Sequence, residues 1–274
     1  MLPQRFRSIM PAAALLSVVS LGACASDKNE ADSINDDPFE SVNRVVWDAD
    51  IALNDYLLTP VAKGYRWVAP EFVQTAVINA LHNLKSPAIF ANDLLEGNMK
   101  RAGQTLTRLW LNTLVGVGGL IDVAADQDIP FHDADFGATL GSWGVPSGPY
   151  LVLPLLGPSD PRYGIGMAVD STVFDPFAIK MQAARIDSAN YYRFGVDTIS
   201  GAAQTVDQIE ELRKSSLDFY AAVRSLYQQK RAADIATAKN PDAPALPDVH
   251  YDDVEPSGPV PSNPPADAGS AKAK

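Results

Sequence analysis

The side chains best suited to nucleophilic and acid–base chemistry are few, and their spacing is poor for catalysis. The chain has three histidines, His82, His132 and His250, and one cysteine, Cys24. His132 lies beside Asp133 and Asp135, a spacing that allows an acid–base pair but fits a solvated turn better. The segment Gly141-Ser142-Trp143-Gly144 and the pair Ser147-Gly148 both fall short of the G-x-S-x-G elbow of serine hydrolases. No H-E-x-x-H, C-x-x-C or P-loop pattern occurs, so the sequence gives no support to a metal site or a phosphate cradle. A lipid-hydrolysing enzyme built on Ser142 or Ser147 is one alternative for function, and the sequence favours a non-enzymatic role.

Cys24 has a different chemistry. Arg5 and Arg7 form a positive start, residues 11–21 are apolar, and Leu21-Gly22-Ala23-Cys24 follows. The apolar run is about half of the ~20 residues that a membrane-spanning helix needs. A small-residue cleavage site ending on cysteine resembles the bacterial lipobox, in which the signal is cut before the cysteine and the thiol is acylated. Residues 1–23 are therefore expected to be a signal peptide. Cys24 is expected to carry covalent diacylglyceryl and acyl groups such as palmitate, with no other cofactor. An ordinary secretory signal with an incidental cysteine is the simpler alternative. Several acyl chains anchor stably where one does so marginally, at ~0.8 kcal/mol per buried methylene. Ala25 stands where an aspartate would resemble an inner-membrane retention signal, which favours the outer membrane.

Charge narrows the partners. Removing Arg5 and Arg7 from the 22 Lys and Arg leaves twenty against 33 Asp and Glu, a formal charge of −13. That argues against nucleic acid and against electrostatic docking on anionic lipid. Any membrane contact should be apolar.

The elements that must position these groups read mostly as helices. Residues 24–36 are polar and read as a flexible tether, and 238–274 are rich in proline and read as a disordered tail. The body is then 37–237. Asp37-Pro38-Phe39-Glu40 offers an acidic cap, a proline in the first helical position and Glu40 at N3. Phe39, Val42, Val46, Ala49, Leu53 and Tyr56 continue as one apolar face. Thr59-Pro60 begins a second helix and Ser86-Pro87 caps another. Residues 72–84, 98–114 and 209–227 are amphipathic at helical spacing. Between 130 and 176, seven prolines and seven glycines exclude long helices. Residues 149–156 are the one strand-like run.

Two features admit two readings each. In 109–125, Gly116, Gly118 and Gly119 sit between Asn112 and Asp122 in an otherwise apolar run. They mark either a hinge between two helical pieces or close helix packing without motion, since each glycine weakens a helix by ~1 kcal/mol relative to alanine. Trp47, Tyr56, Tyr65 and Trp67 suit either a membrane interface or an interior.

Taken in order, DPFESVNR (37–44), NLKSPAIFANDLLEGN (83–98), LTRLWLNTLVGVGGLIDVA (106–124), DFGATLGSWGVPSGPYLVLPLLGPSDPR (135–162) and SSLDFYAAVRSLYQQKR (215–231) resemble the MlaA (VacJ) family of outer-membrane lipoproteins. The resemblance implies a mainly α fold: a ring-like, donut arrangement of amphipathic helices with a Gly/Pro-rich middle loop region and little or no β-sheet. It implies a non-enzymatic protein in the periplasmic leaflet of the bacterial outer membrane. There it would draw mislocalised phospholipids from the outer leaflet through an amphipathic channel and pass them to a periplasmic lipid-carrier protein. It also implies association with a trimeric outer-membrane porin, and a hinge or channel role for Gly116, Gly118 and Gly119 with Asn112 and Asp122. A porin-associated structural lipoprotein that conducts no lipid is the alternative within the same family.

Overall fold

A computed structural model describes residues 37–240. The proposed signal peptide, Cys24, the tether and His250 lie outside the described residues, as does the tail beyond Asn240.

The body is mainly helical. Helix α1 (Glu40–Leu53) runs through one wide π-turn (Asn54–Leu58) into α2 (Thr59–Val68), with Pro60 in the first turn of α2, where its missing N–H costs no helical bond. The hairpin α3 (Glu71–Leu95) and α4 (Met99–Leu114) follows, with Asn98 capping α4 through the Arg101 N–H at 3.1 Å. The proline- and glycine-rich middle folds into α5 (Phe136–Ser142), the strands β1 (Leu151–Leu153) and β2 (Gly157–Ser159), α6 (Pro161–Val169), a π-turn (Asp170–Phe174) and α7 (Pro176–Ala183). Two long helices end the body: α8 (Asp187–Ser215) and α9 (Phe219–Lys239). The last reaches two residues past the boundary expected from the sequence.

Helix contacts run from α2 to α8, from α8 to α3, from α3 to α5 and from α5 to α9. Tyr220 and Arg224 of α9 then reach Asp37 ahead of α1, which closes a ring of helices. Along the α2–α8 seam, Asp55–Arg213, Lys63–Glu210 and Arg66–Asp207 form ion pairs in antiparallel order. The antiparallel pair β1–β2, in the register Val152↔Pro158, is the sheet of the described residues.

The interior is unusual in kind. Tyr150, Val152 and Tyr220 form a small apolar cluster with Val46, Trp47 and Tyr227 around it. Elsewhere among the described residues, buried polar side chains outnumber buried apolar ones, and many large apolar side chains are exposed. Four capping aspartates tie the segments together, three of them at least partly buried and Asp218 exposed. Asp135, Asp160, Asp175 and Asp218 each accept from a backbone N–H in the first turn of α5, α6, α7 and α9. Each is also held from another element: by Arg231, Tyr227, Arg193 and Arg44 respectively. Tyr220, Tyr227 and Arg231 recur at helical spacing, so α9 presents one polar face to three separate segments.

Two expected caps are corrected. Asp37 does not cap α1, which begins at Glu40 without a side-chain cap. Its carboxylate accepts from Asn43 Nδ2 at 2.9 Å, from Tyr220 and from Arg224, so a distant helix outcompetes the local turn. Ser86-Pro87 starts no helix, because α3 passes through Pro87 unbroken. Ser86 donates to His82 O at 3.0 Å instead. Burial of Leu81, Ile89, Asn92 and Asp93 on either side offsets the one bond that proline forfeits.

Candidate functional site

Helix α4 is amphipathic in the reverse sense. Ala102, Thr105, Arg108 and Asn112 face inward, while Met99, Leu106, Trp110 and Leu114 are exposed on the opposite face. The same inversion marks the start of the ring, where Tyr56 is 87 % exposed and Trp67 is 88 % exposed. A water-soluble helix turns its apolar stripe to the core; here the stripe faces outward and the polar side is buried. Trp47 differs from both, packing against Phe219 at 5.4 Å and Tyr220 at 6.0 Å.

The buried face of α4 latches the glycine-rich loop. Arg108 bonds the Asp122 carboxylate at 2.6 Å and also reaches the Ile129 carbonyl. Asn112 donates to Asp122 at 2.9 Å and accepts from the Ala124 N–H at 3.0 Å. Burial disfavours the Asp122 charge, yet the bonds from Arg108, Asn112 and Ala125 hold its carboxyl below the usual range. Asn112 and Asp122, singled out with the glycines, are thus brought into direct contact.

The glycines differ among themselves. A Cβ on Gly116 would stand 2.2 Å from the Ile121 carbonyl oxygen, so only glycine fits. Gly119 has φ +96°, and its Cβ would meet Asn83 at 2.6 Å; Asn83 is tied to Thr113 at 3.0 Å. Gly118 has φ +72° but opens onto free space. Val117 also lies in the left-handed region, at φ +56°, where a β-branched residue is strained. Val115, Val117, Leu120 and Ile121 point outward around this latch.

Inside the ring lies an open cavity of about 600 Å³ between α3, α6, the second π-turn and α8. Lys85, Asp133 and Asp197 form part of its wall, and Ile89, Leu156 and Met167 form another. A neighbouring space of about 390 Å³ shares Ser171, Asp175, Arg193 and Asp197 with it. The two adjoin one another, and both combine polar and apolar walls.

The candidate catalytic groups are not assembled. His132 is neither paired with Asp135 nor in a solvated turn: its Nε2 lies 3.0 Å from the buried Asp93 carboxylate and 3.2 Å from Thr105 Oγ1. Asp135 is engaged by Arg231 at 2.7 Å. Ser142 donates to the Thr139 carbonyl in its own helix at 2.7 Å. His82 stacks on Phe131, with ring centroids 3.9 Å apart. Among the described residues no cluster of His, Cys, Asp and Glu could hold a metal ion, and no helix is long and apolar enough to cross a membrane.

The family model described as MlaA lipoprotein matches residues 35–234. The chain belongs to the MlaA lipoprotein family. It is 33 % identical to the intermembrane phospholipid transport system lipoprotein MlaA of Haemophilus influenzae, over 79 % of this chain and 86 % of that one. It is 31 % identical to the protein of the same name from Escherichia coli K12, over 85 % and 95 % respectively. A solved structure described as the structural basis for maintenance of bacterial outer membrane lipid asymmetry is 33 % identical, has a TM-score of 0.64, and is matched over 73 % of this chain and 100 % of its own. The mainly helical architecture expected from the sequence is therefore the family's.

Within this MlaA-type body, sequence reasoning missed Lys85, Arg108, Arg193 and Asp197. Arg108 left a signal, since Thr105, Arg108 and Asn112 repeat at three- and four-residue steps as a second, polar face. Lys85 left none, because it comes to line the same cavity as Arg193 and Asp197 of α8 only when α3 and α8 pack together.

Proposed function

We propose that this chain is an outer-membrane lipoprotein, held by acylated Cys24 in the periplasmic leaflet. It draws mislocalised phospholipid from the outer leaflet through the mixed cavity of its helical ring and delivers it to a periplasmic lipid carrier. The single observation that carries this reading is the inversion of α4 and of the α1–α2 arm. Helices that bury Arg108, Asn112 and Thr105 while exposing Trp110, Leu114 and Trp67 are arranged for a hydrocarbon surround. A phospholipid moving through such a body needs polar walls for its head and apolar walls for its tails, because an unpaired head in hydrocarbon is costly. No bond is made or broken, so the reading requires no catalytic group. The relatives' names, which specify phospholipid transport, agree with it.

The loop at Gly116, Gly118 and Gly119 is proposed as the hinge. The latch through Asp122 and the positive φ of Val117 support this reading, and a trimeric porin is the proposed partner that positions the ring. Deleting the gene should raise outer-leaflet phospholipid and detergent sensitivity. A photo-crosslinker at Met167 should then capture phospholipid in cells. Adducts to porin alone would support a non-conducting scaffold, and unchanged outer-leaflet phospholipid in the deletion strain would end the proposal.

A further inference from the structure

We infer that the passage prefers phospholipids whose head group bears an ammonium, as phosphatidylethanolamine does, over those of net negative charge, and that Asp197 sets this preference. The inference rests on the transport reading and names its substrate class.

Every other carboxylate of the cavity is engaged. Asp133 lies 3.5 Å from Lys85. Asp175 is bound by Arg193, whose guanidinium also lies over the Phe177 ring. Asp135 is gripped by Arg231, and Asp170 accepts from Asn92 at 2.8 Å and from the Phe136 N–H at 2.9 Å. Asp197, an exposed residue at the rim, lines both cavities and makes no hydrogen bond or ion pair with another described residue. Its charge is felt at Lys85, whose ammonium pKa is raised by Asp133 first and, against the cost of burial, by Asp197 as well. The wall thus has a carboxylate to spare, while both of its lining cations are already paired.

That imbalance discriminates between head groups. A lipid of net negative charge must pass Asp197 uncompensated and compete with Asp133 or Asp175 for a cation. The phosphate of a zwitterionic head meets the same competition, but its ammonium can sit on Asp197, and that contact is what the anionic head lacks.

The test uses the full-length lipidated protein in vesicles containing equal amounts of phosphatidylethanolamine and phosphatidylglycerol. Each lipid is supplied in turn with a photoreactive acyl chain, and adducts to the cavity walls are read by mass spectrometry. The ethanolamine probe should label about two- to fivefold more, the range that one exposed ion pair supplies. Asp197→Asn should bring the ratio close to one, and Asp197→Lys should invert it. Asp197 holds no other side chain in place, so both variants should fold. Equal labelling by the wild type, or a ratio unchanged in Asp197→Asn, would overturn the preference alone. Failure of both probes to label would overturn the transport reading and this inference with it.

Discussion

Arg231 grips Asp135 with both arms of its guanidinium, at 2.7 and 3.0 Å, while the same carboxylate caps α5 through the Ala138 N–H at 2.9 Å. The last helix is thereby fastened to the first turn of a helix 96 residues earlier. The arginine side chain is 7 % exposed, and its guanidinium also lies over Tyr163 at 4.6 Å.

Breaking this pair should therefore be costly. Arg231→Met leaves a largely buried carboxylate without its cation, and such losses run to about 3–5 kcal/mol. Arg231→Lys keeps the charge but loses the two-pronged geometry, so it should fall between the two. Chemical denaturation in detergent micelles should rank wild type above Arg231→Lys above Arg231→Met; an undiminished Arg231→Met would remove α9 from its proposed fastening role.

The three glycines should respond unequally. Alanine at Gly116 collides with backbone and should displace the loop outright. At Gly119 it collides with the tethered Asn83 and carries backbone strain as well. At Gly118 it meets nothing and costs only the left-handed backbone, about 1–2 kcal/mol. Protease sensitivity of 115–125 together with outer-leaflet phospholipid in cells should show the order Gly116→Ala, Gly119→Ala, Gly118→Ala from most to least severe.

Stability should decline as pH rises through mildly acidic values. Burial pushes Glu96 from 4.5 up to about 7, and pushes Asp170 from 3.8 up to about 6. Both carboxyls bind a proton more tightly folded than unfolded, so their contribution is present at low pH and is lost as pH climbs from about 4 to 7. Asp122 and Asp135 have depressed values and act in the opposite sense, losing their contribution as pH falls below the usual carboxylate range. For these four groups together, maximum stability is expected at about pH 4. Glu96→Gln should flatten the decline and gain about 1 kcal/mol at pH 8 after allowance for solvent screening; a decline of unchanged slope would rule out Glu96 as its source.

Tryptophans should divide by environment. In vesicles of brominated phospholipid, Trp67 and Trp110 should be quenched strongly, and Trp47, packed on Phe219, should not. Single-tryptophan variants separate the signals. Equal quenching at Trp47 and Trp110 would contradict an outward apolar face on α4.

The sequence by itself determined most helices, their two-sidedness and the family, though it read 209–227 as one helix where the chain breaks between Ser215 and Phe219 and Asp218 caps a new one. Those depend on short-range spacing, and the periodic faces of α1, α4 and α9 stand in the letters. The glycines at 116, 118 and 119 were legible too, since glycine marks places where backbone geometry or space forbids a side chain. The direction of each face was decided only by the tertiary structure. An apolar stripe has the same pattern whether it meets a core or a lipid tail, so Trp47 and Trp110 could not be told apart until Phe219 was found beside one and not the other. The partners of Asp37, His132 and Asp135 were likewise invisible: a carboxylate takes the strongest donor within about 3 Å, and for these three that donor, or in the case of His132 the carboxylate itself, arrives from a segment 39 to 183 residues away.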